Sequence, residues 1–161
     1  MSSVIHDTFV IERTYPATPA RVFAAFASEE AKSSWGEVEE HDPVAEQADS
    51  EFDFRVGGRE RFETVDDRAV YRYDALYYDI IPDQRLVYSY EMYMNDTRIS
   101  VSVATIEFAA SGDGTTLTWT EQGAFLDGID GPEAPSLRKG GTTEMLDALV
   151  GYLERTDISR P

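Results

Sequence analysis

Residues 69–94 read Ala69-Val-Tyr-Arg-Tyr-Asp-Ala-Leu-Tyr-Tyr-Asp-Ile-Ile-Pro-Asp-Gln-Arg-Leu-Val-Tyr-Ser-Tyr-Glu-Met-Tyr-Met94, and the fold turns on them. Tyr71, Tyr73, Ala75 and Tyr77 alternate against Arg72 and Asp74, the period-two pattern of a half-buried strand. Pro82-Asp83 turns the chain. Leu86, Tyr88, Tyr90, Met92 and Met94 then alternate against Ser89 and Glu91 until Asn95-Asp96 turns it again. Two antiparallel strands over 69–81 and 85–94 follow, with their rings on one face.

The same device extends outward in both directions. Upstream, Phe52, Phe54 and Val56 alternate over 51–56, and Gly57-Gly58 returns the chain into 59–65 as a hairpin. Downstream, strands over 98–108 and 115–123 are joined by Ser111-Gly-Asp-Gly, a composition suited to a tight turn. At the N-terminus, Val4–Tyr15 is rich in β-formers and ends at Pro16. Thr18-Pro19 supplies a cap and a first-turn proline, and Ser28-Glu29-Glu30 caps a second short helix that reaches Trp35 and stops at Gly36. Residues 37–51 are acidic and weakly patterned, as in an exposed edge strand or loop. After a Gly/Asp/Pro loop over 124–135, Thr142, Met145, Leu146, Leu149 and Leu153 form one helical stripe, with Asp147, Glu154 and Arg155 opposite. The order is strand, two short helices, about six strands and one long helix, an α+β class with an antiparallel sheet.

Composition narrows the function. The 161 residues suit one domain over 1–161, and 42% hydrophobic residues suffice for a core. Thirty-one acidic against fourteen basic residues give a formal charge of −17, a field that repels phosphate backbones and anionic lipid heads. Neither nucleic acid nor membrane is expected as a partner. There is no cysteine, so disulfides, thiolate metal sites and thiol nucleophiles are excluded. The first residues lack the basic and apolar regions of a leader, and no stretch approaches the roughly 20 apolar residues of a membrane span, which together point to a cytoplasmic protein.

A meander of this length must twist, and a curved sheet leaves volume between its concave face and a single helix. Either bulky side chains fill that volume or a ligand does. Tyr71, Tyr73, Tyr77, Tyr88, Tyr90, Met92, Met94, Leu117 and Trp119 fall on one face, with Met145 and Leu149 facing them from the helix. So many tyrosine hydroxyls need partners, which a polar-lined pocket supplies more easily than a dry core. The opposite register, with rings outside, remains the alternative.

Counting by twos from Leu117 and Trp119 puts Glu121 on that face, where desolvation raises a carboxyl pKa unless a cation pairs with it. It is the one candidate catalytic residue, as a general acid/base or a ligand-orienting group. The alternative is a strand-end carboxylate that reaches solvent or pairs with Arg59 or Arg61. Those arginines are also placed to hold a ligand carboxylate. His6 and His41 are the only histidines, and no nucleophile elbow, phosphate loop or dinucleotide fingerprint occurs, so no cofactor is expected. Glu39-Glu40-His41-Asp42 alternate sides in a strand, and Asp127-Gly-Ile-Asp-Gly lacks the remaining ligands of a calcium loop, so no metal is expected.

Three segments in order resemble the START-like (SRPBCC) superfamily, and within it the branch named for the activator of Hsp90 ATPase. They are Glu12 through Trp35, Phe52-Asp-Phe-Arg-Val-Gly-Gly and Asp79-Ile-Ile-Pro-Asp-Gln-Arg-Leu-Val-Tyr-Ser-Tyr. The strand from Gly114 and the helix over 141–153 extend the match. The resemblance implies a helix-grip fold, a curved antiparallel sheet around the C-terminal helix with a hydrophobic cavity between. Such relatives commonly carry Gly-Trp near the start of that helix, and this chain has Gly140-Gly141. A missing indole implies a wider pocket mouth or a kinked helix entry. The leading expectation is a protein that binds a small hydrophobic or aromatic molecule. A polyketide cyclase/aromatase-like enzyme and an Hsp90-type chaperone regulator are the alternatives the resemblance adds, the last without the extra module such regulators carry. A homodimer stays open.

Overall fold

A computed structural model describes residues 3–35 and 50–156. The acidic stretch read as an edge strand or loop, and the Glu39–Asp42 group within it, lie outside the described residues except at Ser50 and Glu51. The strands are β1 (Val4–Tyr15), β2 (Glu51–Phe52), β3 (Arg59–Val65), β4 (Val70–Ile81), β5 (Arg85–Met94), β6 (Thr97–Ser111) and β7 (Gly114–Leu126). The helices are α1 (Pro19–Ala24), α2 (Glu29–Trp35) and α3 (Ala134–Arg155). One curved antiparallel sheet runs in the order β1-β7-β6-β5-β4-β3-β2, and α3 lies against its concave face.

The turns follow from local chemistry. Asp83 and Asn95 adopt left-handed backbone, with φ of 64° and 56°, at the two turns read from the sequence. Asn95 also accepts a hydrogen bond from the Val70 amide through its side chain, at 3.1 Å. Thr18 caps α1 by accepting from the Arg21 amide, and Ser28 caps α2 by accepting from the Ala31 amide. The hairpin over 51–65 differs from its alternation: only Glu51 and Phe52 pair as strand, and Val56 is 59% exposed. Asp53 to Gly58 instead fold into a compact turn, where a Cβ on Gly58 would sit 2.1 Å from the Asp53 carbonyl oxygen.

Register decides what faces inward. Tyr73 pairs with Met92, Ala75 with Tyr90 and Tyr77 with Tyr88, so the rings of β4 and β5 share the concave face. On β6 the inward residues grow along the strand: Ser100, Ser102, Ala104, Ile106, Phe108, all buried. The large end packs. Phe108 meets Phe23 and Phe26 edge-on, at centroid distances of 5.5 and 5.6 Å, and Ile106 joins Leu117, Leu146, Leu149 and Leu153 in the core. The second half of α3 is pinned there as well. Tyr15 donates to the Leu146 carbonyl at 2.8 Å, and Arg21 donates to the Leu153 carbonyl at 2.8 Å. The small end leaves room under the first half of the helix.

α3 begins earlier than its apolar stripe indicates, at Ala134, because Arg138 and Ala134 continue that stripe by steps of four. It runs unbroken through Gly140 and Gly141, so there is no break at its entry.

Candidate functional site

Between the small end of the sheet and the first half of α3 lies a cavity of about 760 Å³. Its wall draws on Phe62 of β3, Tyr71 and Tyr73 of β4, Tyr88, Tyr90 and Met92 of β5, Ile99 of β6 and Trp119 of β7. Leu137, Arg138, Gly141, Thr142 and Met145 form its roof. Phe62, Tyr73 and Tyr90 stack in a row, with centroids 4.8 and 5.0 Å apart. Among the described residues the hydroxyls of Tyr73 and Tyr88 make no hydrogen bond to the protein, and their ionisation is pushed well up, by burial first.

Of the twelve residues read onto the pocket face, seven border this space, Tyr71, Tyr73, Tyr88, Tyr90, Met92, Trp119 and Met145, and Met94 does not. Tyr77, Leu117 and Leu149 share the face but sit at the packed end, inside the core. Glu121 lies behind the wall, 1% exposed. Alternation tells which face a side chain takes, and position along the strand decides between core and cavity.

Glu121 is neither solvated nor paired with Arg59 or Arg61. One carboxylate oxygen accepts from the Tyr90 hydroxyl at 2.8 Å, the other from the Trp119 indole N–H at 3.2 Å. Burial raises its pKa, and the two hydrogen bonds and the nearby Arg138 charge pull against that. Arg59 and Arg61 do not reach it, because β3 lies four strands from β7 in the sheet; Arg59 lies 3.8 Å from Asp74 on the convex side, and Arg61 borders the cavity at its β3 edge.

Two features of the site were not read from the sequence. Arg138 reaches from α3 to the sheet floor, donating to the Tyr90 hydroxyl at 3.0 Å, Ser100 at 2.9 Å and Ser102 at 3.4 Å. Its guanidinium also lies 5.4 Å over the Tyr90 ring and 5.1 Å over Phe125. Lys32 of α2 lies 2.7 Å from both oxygens of the buried Glu60 carboxylate. A buried ion pair thus closes one side of the cavity, and a hydroxyl-held arginine the other.

The helix leaves open space beside its paired glycines. A Cβ on Gly140 or Gly141 meets nothing within 4 Å, and Leu137 is 67% exposed and does not cover the gap. The segment 127–131 is a turn built on left-handed Asp127, Gly128 and Gly131. Among the described residues no three His, Asp or Glu side chains converge as metal ligands, and no helix is long and apolar enough to cross a membrane.

Comparison with known proteins agrees with this architecture. An uncharacterized protein from Rhizobium leguminosarum superposes with a TM-score of 0.86 at 41% identity, covering 96% of this chain and 99% of that one. The Mll3558 protein from Rhizobium loti gives 0.79 at 45% identity, over 94% and 99%. Ara h 8.0201 shares the fold alone, with a TM-score of 0.68 at 18% identity over 94% and 100%. No curated protein matches the sequence. The family model described as activator of Hsp90 ATPase homolog 1-like protein matches residues 16–154. With that match spanning most of a chain whose sheet grips its last helix, the protein belongs to the activator of Hsp90 ATPase homolog 1-like family.

Proposed function

We propose that this protein binds a small hydrophobic or aromatic molecule between the concave face of its sheet and the first half of α3. One observation carries the reading. A cavity of about 760 Å³, walled by aromatic rings and Met92 and furnished with a few converging polar groups, has the size and lining of a small-molecule site. Rings supply contact area at low conformational cost, and the hydroxyls of Tyr73 and Tyr88, without a partner among the described residues, are available to fix orientation. Native mass spectrometry after exposure to a library of bicyclic and tricyclic aromatics tests it. The expected result is one ligand per chain, with a melting temperature that rises with ligand concentration. Absence of any complex across the library would remove the reading.

A second reading, a cyclase-like enzyme, is favoured by one contact. The Tyr90 hydroxyl stands at the cavity wall and donates to Glu121, a carboxylate whose protonated form burial favours, so a proton path leads from the wall to a buried acid. Tyr90→Phe separates the two. Binding without turnover supports the binding protein; a substrate consumed by the wild type and spared by Tyr90→Phe supports the enzyme.

A further inference from the structure

The arginines of this protein are not treated alike. Arg13, Arg55, Arg85 and Arg98 each bond an acidic side chain, as expected where acids outnumber bases by 31 to 14. Arg138, on the cavity roof, bonds only neutral hydroxyls, those of Tyr90, Ser100 and Ser102. Among the described residues no carboxylate lies within salt-bridge distance of it. Glu121, a buried acid that feels the Arg138 charge, has both oxygens engaged by Tyr90 and Trp119. The Nε–H of Arg138 and one N–H of its Nη2 are left without a protein acceptor among the described residues.

The seat is built by the sheet. Ser100 and Ser102 are buried and small, and Gly123, paired with Ser102, keeps the floor low: a Cβ there would lie 3.1 Å from the Ser102 oxygen. The guanidinium is held between two rings by three hydrogen bonds, so its remaining donors are fixed in direction before any ligand arrives. A planar fork of N–H groups at the edge of an aromatic cavity matches a carboxylate.

The inward acids favour the same sign. Lys32 neutralises Glu60, and Glu121 is saturated, so among the described residues a cationic ligand finds no free carboxylate inside the cavity. Glu29, Glu51 and Asp130 are exposed at the rim, where salt screens them.

We infer that the ligand of this cavity is a hydrophobic carboxylate, its ring system against Tyr73, Tyr90 and Met92 and its anionic end on Arg138. The inference rests on the cavity being a binding site and names the chemical class it takes. Calorimetry with two probes of matched shape, 2-naphthoate and 2-naphthalenemethanol, tests it. The wild type should bind the naphthoate about tenfold or more tightly than the alcohol, the worth of one charge-assisted contact. Arg138→Gln should erase that preference, while Arg138→Lys should keep part of it. Should Arg138→Gln melt early, the wild-type pair and Arg138→Lys still decide. Equal affinity for both probes in the wild type, or a preference that survives Arg138→Gln, overturns the carboxylate and leaves the cavity reading standing. Binding of neither probe overturns both.

Discussion

The two ends of the concave face are made from the same strands and the same helix, yet one is solid and the other hollow. At the solid end Ile106 and Phe108 of β6 face Leu146, Leu149 and Leu153, and Tyr15 and Arg21 bond the helix carbonyls. At the hollow end Ser100 and Ser102 face Arg138 and Gly141, and the helix is tied down through one arginine's hydrogen bonds. The contrast assigns separate tasks. Close packing at one end supplies stability that frees the other end to hold volume and charge.

Truncation should separate the ends most sharply. Leu149→Ala, at a fully buried site, should cost about 3 kcal/mol through lost burial and a new cavity. Met145→Ala, one turn earlier on a wall already bordering space, should cost less than about 1 kcal/mol. Denaturant unfolding of both variants checks this, and equal losses would break the contrast.

The hollow end should instead answer to charge. Lys32→Met strands the buried Glu60 carboxylate and should cost about 2 kcal/mol near neutral pH. Adding Glu60→Gln should recover most of that loss, because the double variant leaves no buried charge unpaired. Chemical denaturation of the single and double variants reads the difference.

The smallest effect concerns pH. The pKa of Glu121 is raised in the folded state, so the native protein holds a proton there that the unfolded chain has released. That contribution is fully present below the ordinary carboxyl pKa and is lost as pH rises through the raised folded value. Glu121→Gln removes it. The wild type should therefore lose stability relative to Glu121→Gln as pH climbs from about 4 toward neutrality, measured as the difference in melting temperature between the two. A difference that stays flat would show that Glu121 ionises as readily in the fold as outside it.

The shell of the site was legible because period-two alternation holds unbroken over 71–77 of β4 and 86–92 of β5. Tyr71, Tyr73, Tyr88, Tyr90 and Met92 could be placed on one face from spacing alone. What spacing did not give was position along the face, which sent Tyr77, Leu117 and Leu149 to the core. The growth from Ser100 to Phe108 along β6 was the available signal, since small inward residues mark where a helix cannot close on the sheet. Arg138 was also within reach, one step of four before Thr142 on the helical stripe, but the two glycines suggested a later start for the helix. The Lys32–Glu60 pair joins residues from separate elements. Glu60 could be read as inward beside Phe62, whereas its partner depends on tertiary packing.

A side chain that fills the hollow provides the most direct test of the whole account. Gly141 borders the cavity, and a Cβ there meets nothing within 4 Å, so Gly141→Trp should fold, melt no lower than the wild type and occupy the space. Calorimetric titration of both proteins with 2-naphthoate and 2-naphthalenemethanol should show one-to-one binding to the wild type by at least one probe. The same probe should bind Gly141→Trp about tenfold or more weakly. Equal affinity for the two proteins, or a wild type that binds neither probe, would contradict a ligand site in this cavity.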